Sequence, residues 1–195
     1  ACWPSPPATR RLMDSELQFL EYSVPAADVA ESLSWYQSLG FSELQTGNIR
    51  LYHYAVITEG DCCIGLHGES LERPALSFVQ PDLATHVRRL MAEETEFDFA
   101  RIGIDEFHEA ALGDPDGTLA LLMEARSFSP PHDEDTATSF LGRVESLTLP
   151  CRVLEESIEF WQRYGFIAVA SDDEGKAELH RPGLVIALTE GTRQA

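Results

Sequence analysis

The sequence predicts an α+β protein built of repeated βαβββ modules, two of them adjacent and a third set apart that requires a partner. Three observations carry this. SLSWYQSLGF at 32–41 has a near copy in SIEFWQRYGF at 157–166, 125 positions further on. Each copy follows a stretch of alternating apolar and polar residues, and each is followed by three strand-like runs. The match also reaches beyond the ten residues: Pro25 corresponds to Pro150, Glu31 to Glu156 and Gln37 to Gln162 at the same offset.

The elements follow in order. LQFLEYSV (17–24) alternates like a half-buried strand. Val29, Leu33, Tyr36 and Leu39 recur at helical spacing, and Gly40 stands where a helix takes a left-handed C-terminal residue. FSELQTG, RLYHYAVIT and DCCIGLH supply three strands, the last two joined at Glu59-Gly60. The middle module has the same order in other words: PALSFVQP, a helix DLATHVRRLMAEE with Asp82 as N-cap, then FDFARIG, HEAALG and TLALLMEA around the turn Asp114-Pro115-Asp116-Gly117. In the third, VESLTL (144–149) precedes a helix carrying Leu154, Ile158, Trp161 and Tyr164, stopped at Gly165; FIAVAS, KAELH and LVIALTE follow. Residues 1–16 read as an N-terminal extension, 17–127 as the module pair, 128–139 as a proline-rich acidic linker, and 140–191 as the third module, set apart. Trp35 and Trp161 are expected to anchor cores.

Of the 195 residues 44% are hydrophobic, enough for a sizeable core, and 33 acidic against 14 basic residues leave a net charge of −19. Such a surface repels phosphate backbones and anionic membranes, so neither nucleic acid nor membrane is an expected partner, whereas cationic ligands are favoured. No run of about eighteen apolar residues occurs, and ACWPSPPATRRLMDSE lacks the apolar block of a signal peptide; a soluble cytoplasmic protein is expected. Cys2, Cys62, Cys63 and Cys151 have no metal-type spacing and are expected as reduced, mostly buried thiols. There is no nucleophile elbow and no phosphate-binding glycine loop.

Three βαβββ modules, Asp28-x-x-x-Ser32-x-x-Trp35-Tyr36-x-x-Leu39-Gly40-Phe41 and the hairpin Asp114-Pro115-Asp116-Gly117 together resemble the vicinal oxygen chelate superfamily, over about residues 17–190. That group holds glyoxalase I, bleomycin-resistance proteins and extradiol dioxygenases. The resemblance implies that two modules pair into a curled mixed sheet around a cleft and, in enzymes, a divalent metal held by His, Glu or Gln on the first and last strands. Carried onto this chain, those slots are Glu21, Gly65, Ala75 and Leu121, and in the third module Ser146 and Ala187. One carboxylate among them is too little for a divalent ion. No cofactor is therefore expected.

A two-residue loop at Glu59-Gly60 sets Tyr54 opposite Gly65 and Tyr52 opposite His67; the same count across the second hairpin sets Ala110 opposite Leu121 and His108 opposite Met123. The cleft then holds Glu21, Ser23, Tyr52, Tyr54, His67, Ser77, His108, Leu121 and Met123. Tyrosine faces and a few polar groups suit a small cationic or aromatic molecule. Alternatively these side chains fill the core and satisfy each other, or Glu21, His67 and His108 form a displaced metal site. His53 is expected to face packing or solvent, and His86, His132 and His180 are given no role.

The expected function is a metal-free small-molecule-binding protein that sequesters a drug or metabolite, as bleomycin-resistance proteins do. The alternatives are a glyoxalase- or dioxygenase-like lyase, isomerase or oxidoreductase, with Glu21 as general base or a displaced metal, and a non-catalytic assembly module. The lone third module leaves its inner sheet face uncovered, so a homodimer or a fourth module is expected.

Overall fold

The structure is a computed structural model, described here over residues 17–46, 52–60, 62–69, 71–124, 139–170 and 173–191. The 1–16 extension with Cys2, and most of the 128–139 linker with His132, lie outside the described residues.

The first module runs β1 (Gln18–Pro25), α1 (Val29–Ser38), β2 (Ser42–Leu44), β3 (Tyr54–Thr58) and β4 (Cys63–His67). The second runs β5 (Ala75–Gln80), α2 (Leu83–Ala92), β6 (Phe99–Arg101), β7 (Glu109–Gly113) and β8 (Leu119–Glu124). The third runs β9 (Leu147–Cys151), α3 (Leu154–Gln162), β10 (Ile167–Ala170), β11 (Lys176–Arg181) and β12 (Leu184–Glu190). Ten strands-and-helices of the first two modules thus repeat one order, and the third repeats it again.

Eight strands form one mixed sheet in the order β2-β3-β4-β1-β5-β8-β7-β6, and four form a second in the order β10-β11-β12-β9. The seam of the large sheet is β1 against β5, antiparallel, with Glu21 opposite Ser77 and Ser23 opposite Ala75. Within each module the first and last strands run parallel: Ser23 lies beside Gly65, Ser77 beside Leu121 and Thr148 beside Ala187.

Helix boundaries follow local chemistry. The Asp28 carboxylate accepts the Glu31 N–H at 2.9 Å, capping α1. Asp82 occupies the N-cap of α2 but in a left-handed conformation (φ 53°), and its side chain makes no capping bond, contrary to the expected cap. At the other ends, Gly40 and Gly165 take φ of 90° and 85°. In the middle module Glu94 holds that place at φ 62°: Thr95 N–H reaches the Leu90 carbonyl at 3.0 Å and Glu94 N–H that of Met91 at 3.1 Å, the double closure of a glycine-type stop made without glycine.

The third module is separate in sequence but not in space. Leu76, Phe78 and Leu122 on the outer face of the large sheet share one buried core with Val87 and Leu90 of α2 and with Trp161, Tyr164 and Phe166. Phe78 stacks on Tyr164 with centroids 6.2 Å apart, and Arg181 lies over Phe78 at 5.2 Å while donating to the Leu17 and Tyr164 carbonyls. The Asp114–Gly117 turn supplies a second joint. Asp114 accepts from Trp161 Nε1 at 3.3 Å, and Asp116 accepts from the Arg152 backbone N–H at 3.1 Å and from Ser157 Oγ at 3.2 Å, at the start of α3.

Trp161 is fully buried, as expected of an anchor, but Trp35 is 57% exposed. The repeat offset explains it. Trp35 corresponds to Phe160, and Tyr36 is the residue that corresponds to Trp161. Among the described residues no helix is long and apolar enough to cross a membrane.

Candidate functional site

The residues that share the inner face of the large sheet are set by two hairpin registers, and both differ from expectation. Thr58 pairs with Cys63, so four residues rather than two span the β3–β4 loop. A slip of two keeps side chains on their face. Tyr54 therefore lies opposite His67 instead of Gly65, and both still point inward with Glu21 and Ser23. In the second hairpin Gly113 pairs with Leu119, so five residues span the loop where four were expected. A slip of one reverses the strand. Glu109, not His108, lies opposite Met123 and shares its inner face.

His108 consequently leaves the cleft. Its Nδ1 pairs with Glu124 and its Nε2 bonds the Gly103 carbonyl at 2.9 Å. The Glu124 hydrogen bond raises its pKa. The proposed metal set of Glu21, His67 and His108 is therefore not brought together, and among the described residues no group of three or more His, Cys, Asp or Glu is placed to hold a metal ion. His53 is exposed, as expected, and His180 lies at the surface bonded to Glu178.

At the seam, the remaining residues form one hydrogen-bonded chain. Glu21, 1% exposed, accepts from Ser23 Oγ at 2.8 Å, from Tyr54 Oη at 2.5 Å and from His67 Nε2 at 3.0 Å. Burial works to raise the Glu21 pKa, but the bonds from His67, Tyr54 and Ser23 outweigh it and hold the carboxyl below its ordinary value. An ionised Glu21 is acceptor only, which assigns the proton of His67 to Nε2. Nδ1 is then free to accept the Tyr52 hydroxyl, 2.9 Å away. Ser23 spends its proton on Glu21, so the 2.6 Å bond to Ser77 is donated by Ser77. Every proton in the chain Ser77, Ser23, Glu21, His67, Tyr52 has one consistent place.

Glu21, Ser23, His67 and Ser77 are all at most 1% exposed, and Leu121 and Met123 are 4% exposed. They make a floor. Tyr52 and Tyr54 are half-buried and form its rim, with ring centroids 5.9 Å and 4.8 Å from that of His67.

The metal that the resemblance implies does not fit this floor. A Cβ at Gly65 would lie 2.3 Å from Glu21 Oε1, so the carboxylate fills the space into which a ligand side chain at that slot would project. Ala75 and Leu121, buried at 0% and 4%, bring no donor atom. Both Glu21 oxygens are already taken by side-chain donors.

Two inner-face residues escaped the sequence reading. Glu109, 9% exposed, takes a 2.5 Å bond from Arg101; a five-residue loop would have placed it correctly. Cys63 stands one position toward the loop from Ile64 on the Gly65 face, and burial together with the Glu21 charge raises its pKa, keeping it a thiol. Cys62 and Cys151 are buried and form no disulfide, and burial with nearby carboxylates pushes Cys151 up to about 11.

A pocket of about 410 Å³ opens elsewhere, between the second hairpin and the start of α3, lined by Pro115, Asp116, Cys151, Arg152 and Glu156. Its Asp116 and Arg152 are engaged with each other at 2.8 Å.

Solved structures place the architecture. A homoprotocatechuate 2,3-dioxygenase from Brevibacterium fuscum superposes with a TM-score of 0.61 at 16% identity, over 89% of this chain and 53% of that one. The chain shares the fold of this dioxygenase. A catechol 2,3-dioxygenase matches at TM-score 0.55 and 10% identity, over 91% and 67% of the two chains. A fusion of a xylose isomerase-like barrel with a 4-hydroxyphenylpyruvate dioxygenase matches at 0.57 and 22%, over 91% and 33%. The chain spans about half the length of the homoprotocatechuate dioxygenase. No protein-family model and no curated protein matches the sequence.

Proposed function

We propose that the chain binds a small cationic or aromatic molecule at the seam of the first two modules, without a metal, in the manner of a sequestering protein rather than a dioxygenase. One observation carries this reading. Glu21 is a buried carboxylate held by hydroxyl and imidazole donors, with no Lys or Arg among the partners that hold it. Its negative charge is felt through a low-dielectric floor at the rim, where Tyr52 and Tyr54 offer aromatic faces. The net charge of −19 acts in the same direction at long range. Antibiotic sequestration is the use this reading favours, and Cys62, Cys63 and Cys151, which form no disulfide, suit a reducing cytoplasm.

Thermal-shift measurement against a panel of cationic aromatic compounds tests the proposal. A hit is expected to raise the melting temperature of the wild type and to do so much less for Tyr52→Phe and Tyr54→Phe combined with Glu21→Gln. No stabilisation by any cationic compound would count against it. Elemental analysis of the purified protein is the independent check, and a stoichiometric transition metal would overturn the metal-free part.

A second reading rests on the orientation of His67. Carboxylate, imidazole and phenol stand in line, so His67 can take the Tyr52 proton while Glu21 stabilises the imidazolium. In an enzyme of proton-transfer type, Tyr52→Phe is expected to remove turnover and leave the fold intact. Retained turnover in that variant would exclude Tyr52 as the acid–base group.

A further inference from the structure

We infer that the ligand of the seam carries its positive charge on nitrogen that still bears hydrogen, as a primary ammonium, amidinium or guanidinium group, and that the hydroxyl oxygens of Tyr52 and Tyr54 accept those hydrogens. The chemical class rests on the cation-binding reading of the seam and on the direction in which the protons of its floor point.

Five side-chain hydrogens are committed in the chain at the seam. Ser77 donates to Ser23 at 2.6 Å, Ser23 to Glu21 at 2.8 Å, Tyr54 to Glu21 at 2.5 Å, His67 Nε2 to Glu21 at 3.0 Å and Tyr52 to His67 Nδ1 at 2.9 Å. All of them run inward, toward one carboxylate and the imidazole bonded to it. A hydroxyl has one hydrogen and two lone pairs. Having given its hydrogen to the floor, each tyrosine oxygen can only accept from whatever else meets it. A carboxylate or another acceptor-only group therefore finds no donor among these five, and it also meets the charge of Glu21.

Two kinds of cation suit tyrosines, and the ring geometry separates them. A quaternary ammonium is held by aromatic faces that converge on an open point. Here the point on which the two rings converge holds His67, whose imidazole centroid lies 5.9 Å from that of Tyr52 and 4.8 Å from that of Tyr54. A cation with N–H groups instead finds what it needs: acceptor oxygens at the rim, and below them a buried carboxylate with no Lys or Arg among the partners that hold it. The two modes predict opposite orders of affinity. Methylation lowers the cost of taking an ammonium out of water, so ring faces alone would bind the methylated cation at least as well. Oxygen lone pairs reverse that order.

Titration of the full chain with phenethylammonium, trimethyl(phenethyl)ammonium and phenylacetate tests this, at about pH 8, where an ordinary imidazole is neutral. Tyrosine and histidine resonances followed by NMR make weak affinities measurable. Phenethylammonium is expected to bind at least about tenfold more tightly than its trimethyl form, the worth of a hydrogen bond to a charged group, and phenylacetate is expected not to bind at the seam. In the double variant Tyr52→Phe/Tyr54→Phe the rings stay and the oxygens go, and the ratio between the two cations is expected to fall toward one. Equal or tighter binding of the trimethyl cation by the wild type overturns the inference while leaving a cation site in place. A ratio that persists in the double variant, or phenylacetate bound at the seam, overturns it too. If neither cation binds, the cation-binding reading itself fails and the inference falls with it.

Discussion

Gly65 and Glu21 show how one small residue decides the chemistry of a site. Because a Cβ at 65 would meet the Glu21 carboxylate at 2.3 Å, Gly65→Ala is expected to push Glu21 off its three donors, with a loss of about 2–3 kcal/mol in urea unfolding. Glu21→Gln makes a different demand. Its amide would turn two donor hydrogens toward Tyr54, Ser23 or His67, which also donate, and the cost at neutral pH is expected near 3 kcal/mol. The pH dependence has a definite sign. The folded-state pKa of Glu21 lies below its ordinary value, so the unfolded chain binds the proton first and the stabilisation is present above the ordinary carboxylate range. It is lost as pH falls through that range toward the folded value. The gap in unfolding free energy between wild type and Glu21→Gln is therefore expected to narrow on acidification, and a gap that stays constant would show that Glu21 is not held ionised. Sequence reading placed Glu21, Ser23 and Ser77 on one face because strand alternation is local, but it could not show that Glu21 bends back over Gly65. That contact joins neighbouring strands and depends on the β1–β4 register.

At the scale of the element, helices and strands were legible and hairpin lengths were not. The spacing of Val29, Leu33 and Tyr36, or of Leu154, Ile158 and Trp161, is set by each helix alone. Hairpin register is set by how many residues the loop takes from each strand, and the turn signals Glu59-Gly60 and Asp114–Gly117 mark where each loop begins without marking where it ends. The error of two around Glu59 was harmless, leaving Tyr54 and His67 inward, while the error of one beyond Asp114 exchanged His108 for Glu109. The middle module was the hardest to recognise for a related reason: its helix stop lacks the glycine that marks the others. Glu94 adopts φ 62° with a side chain that disfavours it. Glu94→Gly is expected to stabilise the protein by about 1 kcal/mol, read as a higher urea midpoint at unchanged slope. A lower midpoint would mean that the Glu94 side chain contributes more than its strained backbone costs.

For the whole molecule, two sheets do not mean two unfolding units. Phe78 in β5 is fully buried, and its neighbours Tyr164 and Phe166 belong to the third module, while Phe19 belongs to the first. The apolar outer face of the large sheet is thus finished by side chains from the small one, and exposing either surface on its own would open the shared core to water. Unfolding of the wild type is expected to be a single transition, with far-UV circular dichroism and the fluorescence change of buried Trp161 coincident in urea. Phe78→Ala removes the ring that both sheets pack against, and the cost expected for a buried aromatic is about 3–5 kcal/mol. The location of that loss distinguishes a shared core from two adjoining ones. If the sheets depend on each other, the variant unfolds earlier but still in one step. If the third module is held by the Asp114 and Asp116 joint alone, the Trp161 signal separates from the circular dichroism transition, and the core is better described as two.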